Sequence, residues 1–166
     1  MQMHIIKKEN LKSHIHIDHT PIINEIERSI KFYNWDFILP FLPSGSCLVG
    51  GYIRDLILGR LRSEIDVDII VPKNPIKIGK QIAANFQGKF IILDEDREVV
   101  RIIFKHITID IATQISPSID TDLLSRDFSM NAIAFSFEKK LLIDPLNGIK
   151  DIQLSLLKTN SKQNLI

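Results

Sequence analysis

The sequence predicts an α/β or α+β domain in which helices flank a sheet of mixed strand direction. Some segments carry apolar residues at helical spacing, and others are short runs of β-branched residues. Several of these runs follow one another closely, which favours antiparallel neighbours because a parallel pair needs a crossover of a dozen or more residues. The chain has 166 residues, the size of one ordinary domain that can bury a core.

The composition is that of a globular chain and excludes a strongly basic nucleic-acid-binding domain. The formal net charge is +1, so any contact with RNA must come from a local patch or from residues outside this chain. Cys47 is the only cysteine, which excludes an internal disulfide and favours a reducing compartment. No apolar run is long enough for a membrane span, and the N-terminus lacks the apolar core of a signal peptide. We therefore expect a cytoplasmic protein without a membrane partner.

Residues 1–45 are expected to form a poorly packed lead-in followed by a helix. Thr20 is predicted to cap this helix, with Pro21 at its first position. Three histidines near the N-terminus could be interpreted as a metal site, because the first two are two residues apart and would share a face of a strand, but an exposed polar edge or a flexible terminus is the favoured interpretation. They are His14, His16 and His19.

Residues 46–166 are expected to form the sheet domain. A strand at 47–49 leads into two glycines and a helix, which Gly59 ends as the C′ residue. Further strands and helices are predicted from the apolar patterns and the turn residues between them. The strands are expected at 65–71, 89–93, 98–104, 107–112, 133–137 and 140–143, and the helices at 75–85, 119–133 and from Ile149. The charged run at 94–97 is expected to be the turn of a hairpin.

Two glycines at a strand-to-helix turn form the first candidate site. Gly50 and Gly51 would let backbone amides approach a ligand without a Cβ in the way, and the helix N-terminus behind them suits a phosphate. Arg54 follows one helical turn later and would lie near the same ligand. A simple tight turn with a surface Arg54–Asp55 pair explains the pattern equally well when it is taken alone.

Asp66 and Asp68 form the second candidate site. Residues two apart on a strand share a face, so the two carboxylates would lie side by side while Ile65, Val67 and Ile69 face the core. Neighbouring like charges are costly unless a cation lies between them, and paired carboxylates holding Mg²⁺ suit phosphoryl transfer. A solvent-facing strand edge is the alternative.

The segment 125–134 is the third candidate site. Arg126 could bind a triphosphate with two parallel hydrogen bonds. Ser129 and Asn131 could form hydrogen bonds with the nucleotide or with the sheet. The alternative is a helix N-terminus near Asp127 with Arg126 as a surface charge.

Together the three segments resemble the class II tRNA nucleotidyltransferase and bacterial poly(A) polymerase family, within the DNA polymerase beta-like nucleotidyltransferase superfamily. The head domain of that family carries Gly-Gly-x-x-Arg-Asp-x-x-Leu-Gly, then Asp-x-Asp, then Arg-Arg-Asp-Phe-[Ser/Thr]-x-Asn-Ala, then Ile-Asp-Pro. This chain carries the corresponding residues in the same order at 50–59, 66–68, 125–132 and 143–145. The resemblance covers about residues 46–157.

The resemblance implies a fold, a reaction and a role for each site residue. It implies the polymerase beta-like fold and transfer of CMP or AMP from CTP or ATP to the 3′ end of tRNA or another RNA. Asp66 and Asp68 would hold Mg²⁺, with Asp110 as the candidate third carboxylate. The nucleotide would be bound by Gly50, Gly51, Arg54, Arg126, Asp127 and Asn131.

The chain departs from the family pattern in three places. Ser125 stands where the family has the first Arg of Arg-Arg-Asp. The spacing from Gly59 to Asp66 is about two residues longer than in the family. By strict spacing, Glu64 and Asp66 would therefore be the carboxylate pair. Asp66 and Asp68 are preferred because an apolar run follows them, as in the family. The family's neck, body and tail regions, which select the nucleotide and bind tRNA, have no counterpart here. A head that binds nucleotide and Mg²⁺ without transfer, or that needs a partner chain, is therefore the alternative function.

Overall fold

The computed structural model describes residues 18–160, and its centre is a seven-stranded sheet. The strand order is β3-β4-β5-β2-β1-β6-β7, and every neighbouring pair is antiparallel except β2 with β5. The strands are β1 (Cys47–Val49), β2 (Ile65–Val71), β3 (Lys89–Asp94), β4 (Val99–Ile103), β5 (Ile107–Thr113), β6 (Ala134–Ser136) and β7 (Leu141–Ile143). The prediction of a mixed sheet with several hairpins is confirmed.

In the described part of the chain, five α-helices and two short 3₁₀ helices connect and cover the strands. The α-helices are α1 (Thr20–Phe32), α2 (Gly51–Ile57), α3 (Pro75–Phe86), α4 (Ile119–Leu124) and α5 (Gly148–Gln153), and the 3₁₀ helices are Asp36–Phe41 and Ser129–Asn131. Within residues 18–160, no helix combines the length and apolar character that a membrane crossing needs.

One face of the sheet carries the main hydrophobic core. Side chains from α1, α2, α3 and α5 pack there, represented by Ile26, Ile53, Ile82 and Ile149, all at most 1% exposed. The opposite face carries a smaller apolar cluster around Ile70 and is otherwise available for polar side chains. This unequal coverage leaves room for a functional site on the second face.

The N-terminal part differs from the prediction at the helix start. Thr20 is the first residue of α1, not its cap: its N–H donates to the Asp18 carboxylate at 2.9 Å, and His19 occupies the cap position. The reason is that the Asp18 oxygen reaches this N–H from outside the helix. His14 and His16 lie outside the described residues. The domain boundary at residue 45 stays a prediction, although Ile26 of α1 shares the main core with Leu48 of β1.

Gly59 ends α2 as predicted. Its φ is 63°, a left-handed conformation that favours glycine. The Gly59 N–H donates to the Leu56 carbonyl at 3.0 Å, and the Arg60 N–H donates to the Asp55 carbonyl at 2.7 Å. This pair of bonds is the Schellman motif that closes a helix C-terminus.

The helix predicted at 119–133 is wrong beyond Leu124. The chain leaves α4 at Ser125 and becomes extended at Phe128, which forms an antiparallel bridge with Thr159. The Ser129 N–H donates to the Lys158 carbonyl at 3.0 Å. Pairing with a segment thirty residues away therefore replaces the local helix, and local sequence spacing gives no sign of it.

Candidate active site

Asp66 and Asp68 lie on β2, on the sheet face opposite the main core. Ile65, Val67 and Ile69 alternate with them and are at most 4% exposed. Asp66 is exposed and Asp68 is partly buried. The alternation predicted from the sequence is confirmed, and it places the two carboxylates on one side of the strand.

Asp68 lies where three carboxylates and two guanidinium groups influence one another. Burial raises the pKa of Asp68 above its usual value, and the negative charges of Asp110 and Asp66 raise it further. The positive charges of Arg126 and Arg101 act in the opposite direction. The carboxylate is therefore crowded by like charge, and a bound cation would relieve that crowding.

The third candidate carboxylate, Asp110, is engaged elsewhere. It lies opposite Asp68 in the β2–β5 register, but Arg101 of β4 donates to both of its oxygens at 2.7 Å. Within residues 18–160, no three His, Cys, Asp or Glu side chains converge as a set of metal ligands. The structure thus offers Asp66 and Asp68 as a pair of hard oxygen donors, which fits a divalent cation such as Mg²⁺ that retains water ligands. The role of Asp110 as a third ligand stays a prediction.

Gly50 joins β1 to α2 in a conformation that requires glycine. Its φ is 74° and its ψ is −134°. A Cβ at this position would lie 3.3 Å from Nη1 of Arg126 and 3.3 Å from Oδ2 of Asp68. The missing side chain therefore leaves a gap between a guanidinium group and a carboxylate, beside the first turn of α2.

Arg54 connects α2 to the segment that carries Asn131. Its guanidinium donates to both oxygens of Asp55 at 2.8 and 3.0 Å, and its Nη1 donates to Oδ1 of Asn131 at 2.7 Å. It also lies over Gly51, where a Cβ would be 3.4 Å from Nη2. The sequence placed Gly51 and Arg54 in one candidate site and Asn131 in another, and the structure brings the three residues together.

Arg126 is held beside Gly50 by the end of α4. Its Nη2 lies 3.7 Å from the Asp122 carboxylate, which is only 6% exposed, and its buried Nε has no hydrogen-bond partner among the described residues. Asp127 follows, and its carbonyl accepts the Asn160 N–H at 3.1 Å. Backbone pairing with 158–160 therefore fixes the segment that presents Arg126.

A buried hydrogen bond behind this segment was not foreseen from the sequence. Ser129, which is fully buried, donates from its hydroxyl to Oδ2 of Asp151 at 2.6 Å. The Asp144 carboxylate accepts the N–H groups of Gly148 and Ile149 and so caps α5. The Ile-Asp-Pro segment and Asp151 after it were the sequence features that could have indicated these contacts. The contacts hold α5 against residues 129–131.

A cavity of about 780 Å³ opens beside Asp66 and Asp68. It is also lined by Gly51 and Arg54, by Glu64, and by three basic residues. The basic residues are Arg60, Arg62 and Lys105. Glu64 is exposed and lies on this cavity, so the alternative carboxylate pair suggested by spacing stays open. The volume is within the range of small-molecule sites.

Comparisons with known proteins agree with this geometry. Residues 46–158 match the poly A polymerase head domain. A CC-adding tRNA nucleotidyltransferase of Synechocystis sp. is 43% identical over 129 residues, covering 78% of this chain and 31% of the relative. An A-adding tRNA nucleotidyltransferase of Deinococcus radiodurans is 37% identical over 127 residues, covering 76% of this chain and 28% of the relative.

Solved structures show the same fold. The Thermotoga maritima CCA-adding enzyme complexed with tRNA superposes with a TM-score of 0.67 at 26% identity, covering 86% of this chain and 35% of that chain. This chain therefore spans about a third of the length of the proteins it matches. Because the match extends over most of the chain and includes all three candidate segments, the chain belongs to the poly A polymerase head domain family.

Proposed function

We propose that this chain is the catalytic head of a template-independent RNA nucleotidyltransferase that adds CMP or AMP to the 3′ end of tRNA or another RNA. Relatives named for CC addition and A addition, and a neighbour solved with tRNA, support the substrate class. The observation that carries the proposal is the position of Asp68 beside the gap at Gly50, with Arg126 across it and Asp66 on the same face of β2. Residues 46–166 form the head in this proposal.

A nucleoside triphosphate fits this arrangement because guanidinium groups can bind its phosphates while the neighbouring carboxylates hold a divalent cation. The Arg126 guanidinium lies at the Gly50 gap and would bind phosphate oxygens. Arg54 is fixed by Asp55 and Asn131 and would hold the nucleotide over Gly51. Since each of these side chains is already oriented by neighbours, little ordering is needed when the nucleotide binds.

Asp66 and Asp68 would hold Mg²⁺, which supplies neutralisation of the triphosphate and activation of the RNA 3′-hydroxyl. In the reaction, the RNA 3′-hydroxyl gives up its proton to solvent and its oxygen forms a bond to the α-phosphorus. The bond from the α-phosphorus to the oxygen that bridges it to the β-phosphorus breaks, and pyrophosphate leaves. Arg126 stabilises the charge of the leaving pyrophosphate at the Gly50 end. Asp127 and Asn131 would shape the wall of the nucleotide site beside Arg126.

The decisive experiment measures transfer of label from CTP or ATP to tRNA that lacks its 3′-terminal CCA, in the presence of Mg²⁺. We expect the wild type to transfer label and Asp66→Asn and Asp68→Asn to lose transfer. Glu64→Gln is the matched control, because it removes a carboxylate of the same cavity. Loss of transfer in Glu64→Gln with retention in Asp68→Asn would show that the Glu64–Asp66 pair is the metal site.

One fact favours a second function. In this function, the chain binds nucleotide but depends on further regions or a partner chain for transfer. The chain spans about a third of the length of its relatives. Mg²⁺-dependent binding of CTP or ATP without transfer would identify this function. Absence of both binding and transfer would contradict the proposed function and leave only the family and the fold.

A further inference from the structure

Two separate segments bring unpaired basic side chains to the cavity beside Asp66. Arg60 and Arg62 lie on the loop between α2 and β2, and Lys105 lies on the turn between β4 and β5. The two segments are joined where the Ile65 N–H donates to the His106 carbonyl at 3.0 Å. The basic patch, defined here as Arg60, Arg62 and Lys105, is therefore built by the fold and not by a run of basic sequence.

The arginines of this patch differ from the others in the protein. The sequence contains seven arginines, and five of them form ion pairs with carboxylates in the structure. The two that form none among residues 18–160 are Arg60 and Arg62. Lys105 also has no ion pair in that part of the chain. The cavity is also lined by four carboxylates, Asp55, Glu64, Asp66 and Asp68, so the three exposed, unpaired cations supply a positive contact for an anion beside the acidic part of the site.

The geometry of in-line displacement indicates that this patch and the triphosphate lie on opposite sides of the reacting phosphorus. Arg126 and the Gly50 gap lie beside Asp68. Asp66 is two residues nearer the start of β2, about 7 Å along the strand, and the basic patch lies at that start. In-line displacement places the attacking oxygen on the side of the α-phosphorus opposite the leaving pyrophosphate. With pyrophosphate at Arg126, the attacking 3′-hydroxyl enters from the side of Asp66 and the patch.

We propose that Arg60, Arg62 and Lys105 bind the sugar–phosphate backbone next to the 3′ end of the RNA acceptor strand. This proposal rests on the proposed transfer reaction and names where its RNA substrate enters. The phosphodiester groups that precede the 3′-hydroxyl carry one negative charge each, and a positively charged groove that follows the backbone is how single strands are bound without sequence preference. The patch thus supplies the local RNA contact that the balanced net charge of the chain requires.

The test compares two triple variants with the same change of charge. Arg60→Gln/Arg62→Gln/Lys105→Gln removes the patch, and a control triple variant removes three exposed lysines that line neither the cavity nor the candidate site. The control substitutions are Lys73→Gln, Lys77→Gln and Lys89→Gln. Binding of a 5′-fluorescein-labelled 12-nucleotide RNA with a free 3′-hydroxyl is followed by anisotropy at several salt concentrations. Binding of CTP with Mg²⁺ is measured separately by calorimetry.

We expect the slope of log Kd against log salt to fall by about 2 in the patch variant, since each phosphate contact with a single strand contributes about 0.7. The control variant should keep the wild-type slope, and both variants should keep wild-type CTP affinity. Equal slopes in the two variants, or no salt-dependent RNA binding by the wild type, would overturn the proposal. So would loss of CTP binding with an unchanged RNA slope, because the cations would then serve the triphosphate.

The same measurements distinguish a failure of this proposal from a failure of the proposed function. Wild-type CTP binding and transfer with an unchanged RNA slope in the patch variant reject only the RNA-binding role of the patch. A reduced slope in a protein that neither binds CTP nor transfers label supports an RNA-binding surface and rejects the transfer function.

Discussion

Substituting Gly50 with alanine tests the central feature of the site, the gap between Arg126 and Asp68. The added Cβ would lie 3.3 Å from Nη1 of Arg126 and from Oδ2 of Asp68, so both charged groups must move by a few tenths of an ångström. Gly59→Ala is the matched control. Gly59 also has a positive φ, of 63°, but a Cβ there meets no atom within 4 Å.

The two substitutions should cost similar stability but differ in nucleotide binding. Backbone strain at the Gly50 conformation is worth about 1–3 kcal/mol, and the left-handed conformation at Gly59 costs an alanine about 1–2 kcal/mol. The displacement of Arg126 and Asp68 occurs only in Gly50→Ala. A loss of about 1.4 kcal/mol in nucleotide affinity corresponds to a tenfold weaker Kd, and we expect at least that change for Gly50→Ala.

Urea denaturation and calorimetric titration of CTP with Mg²⁺ measure the two quantities independently. A Gly50→Ala protein that loses stability like Gly59→Ala but binds CTP as tightly as the wild type would refute the reasoning. Equal weakening of CTP binding in both variants would also refute it, because general loss of stability would then explain the effect.

Three further predictions concern the surroundings of the site. Ser129→Ala leaves the buried Asp151 carboxylate without its 2.6 Å hydrogen bond, and urea denaturation should show a loss of about 1.5–3 kcal/mol; a change below 0.5 kcal/mol would contradict this. Burial raises the pKa of the Cys47 thiol to about 11. Iodoacetamide at pH 8 should therefore modify Cys47 far more slowly in the native protein than in the unfolded protein. Equal rates would be inconsistent with the buried thiol. Arg101→Gln removes the ion-pair partner of Asp110 and a positive charge near Asp68. The variant should therefore bind Mn²⁺ more tightly than the wild type when binding is measured by electron paramagnetic resonance. Weaker binding would show that Arg101 supports the metal site.

The strand that carries the carboxylates could be predicted because its pattern is local. Ile65, Val67 and Ile69 alternate with the two acids, and burial of one face of a strand fixes the direction of every side chain on it. The end of α2 at Gly59 could also be predicted, since a Schellman motif depends on a few consecutive residues. Both features are decided within about ten residues, so neighbouring chain segments do not override them.

The segment around Arg126 could not be predicted in the same way. Its sequence suits a helix, but Phe128 pairs with Thr159, and Ser129 is fixed by Asp151 from α5. These partners are more than twenty residues away, and their approach depends on the packing of α5. The sequence therefore named Arg126 as a candidate site residue, but it did not predict the extended conformation that presents Arg126 to Gly50.

The Arg101–Asp110 ion pair was missed although the sequence contained the information to find it. Strands at 98–104 and 107–112 were predicted close together in the sequence. In the structure, the short turn at 104–106 fixes their register so that Ile102 faces Ile109 and Arg101 faces Asp110. Opposite charges directly across an antiparallel pair attract each other, so Asp110 had a basic partner before any metal was considered. A carboxylate with such a partner is a weaker candidate for a metal ligand than Asp66, whose neighbour across β5 is the uncharged Thr108. Cross-strand register therefore ranks the candidate carboxylates by their basic partners, which residue type alone does not, while the role of Asp110 as a third ligand stays a prediction.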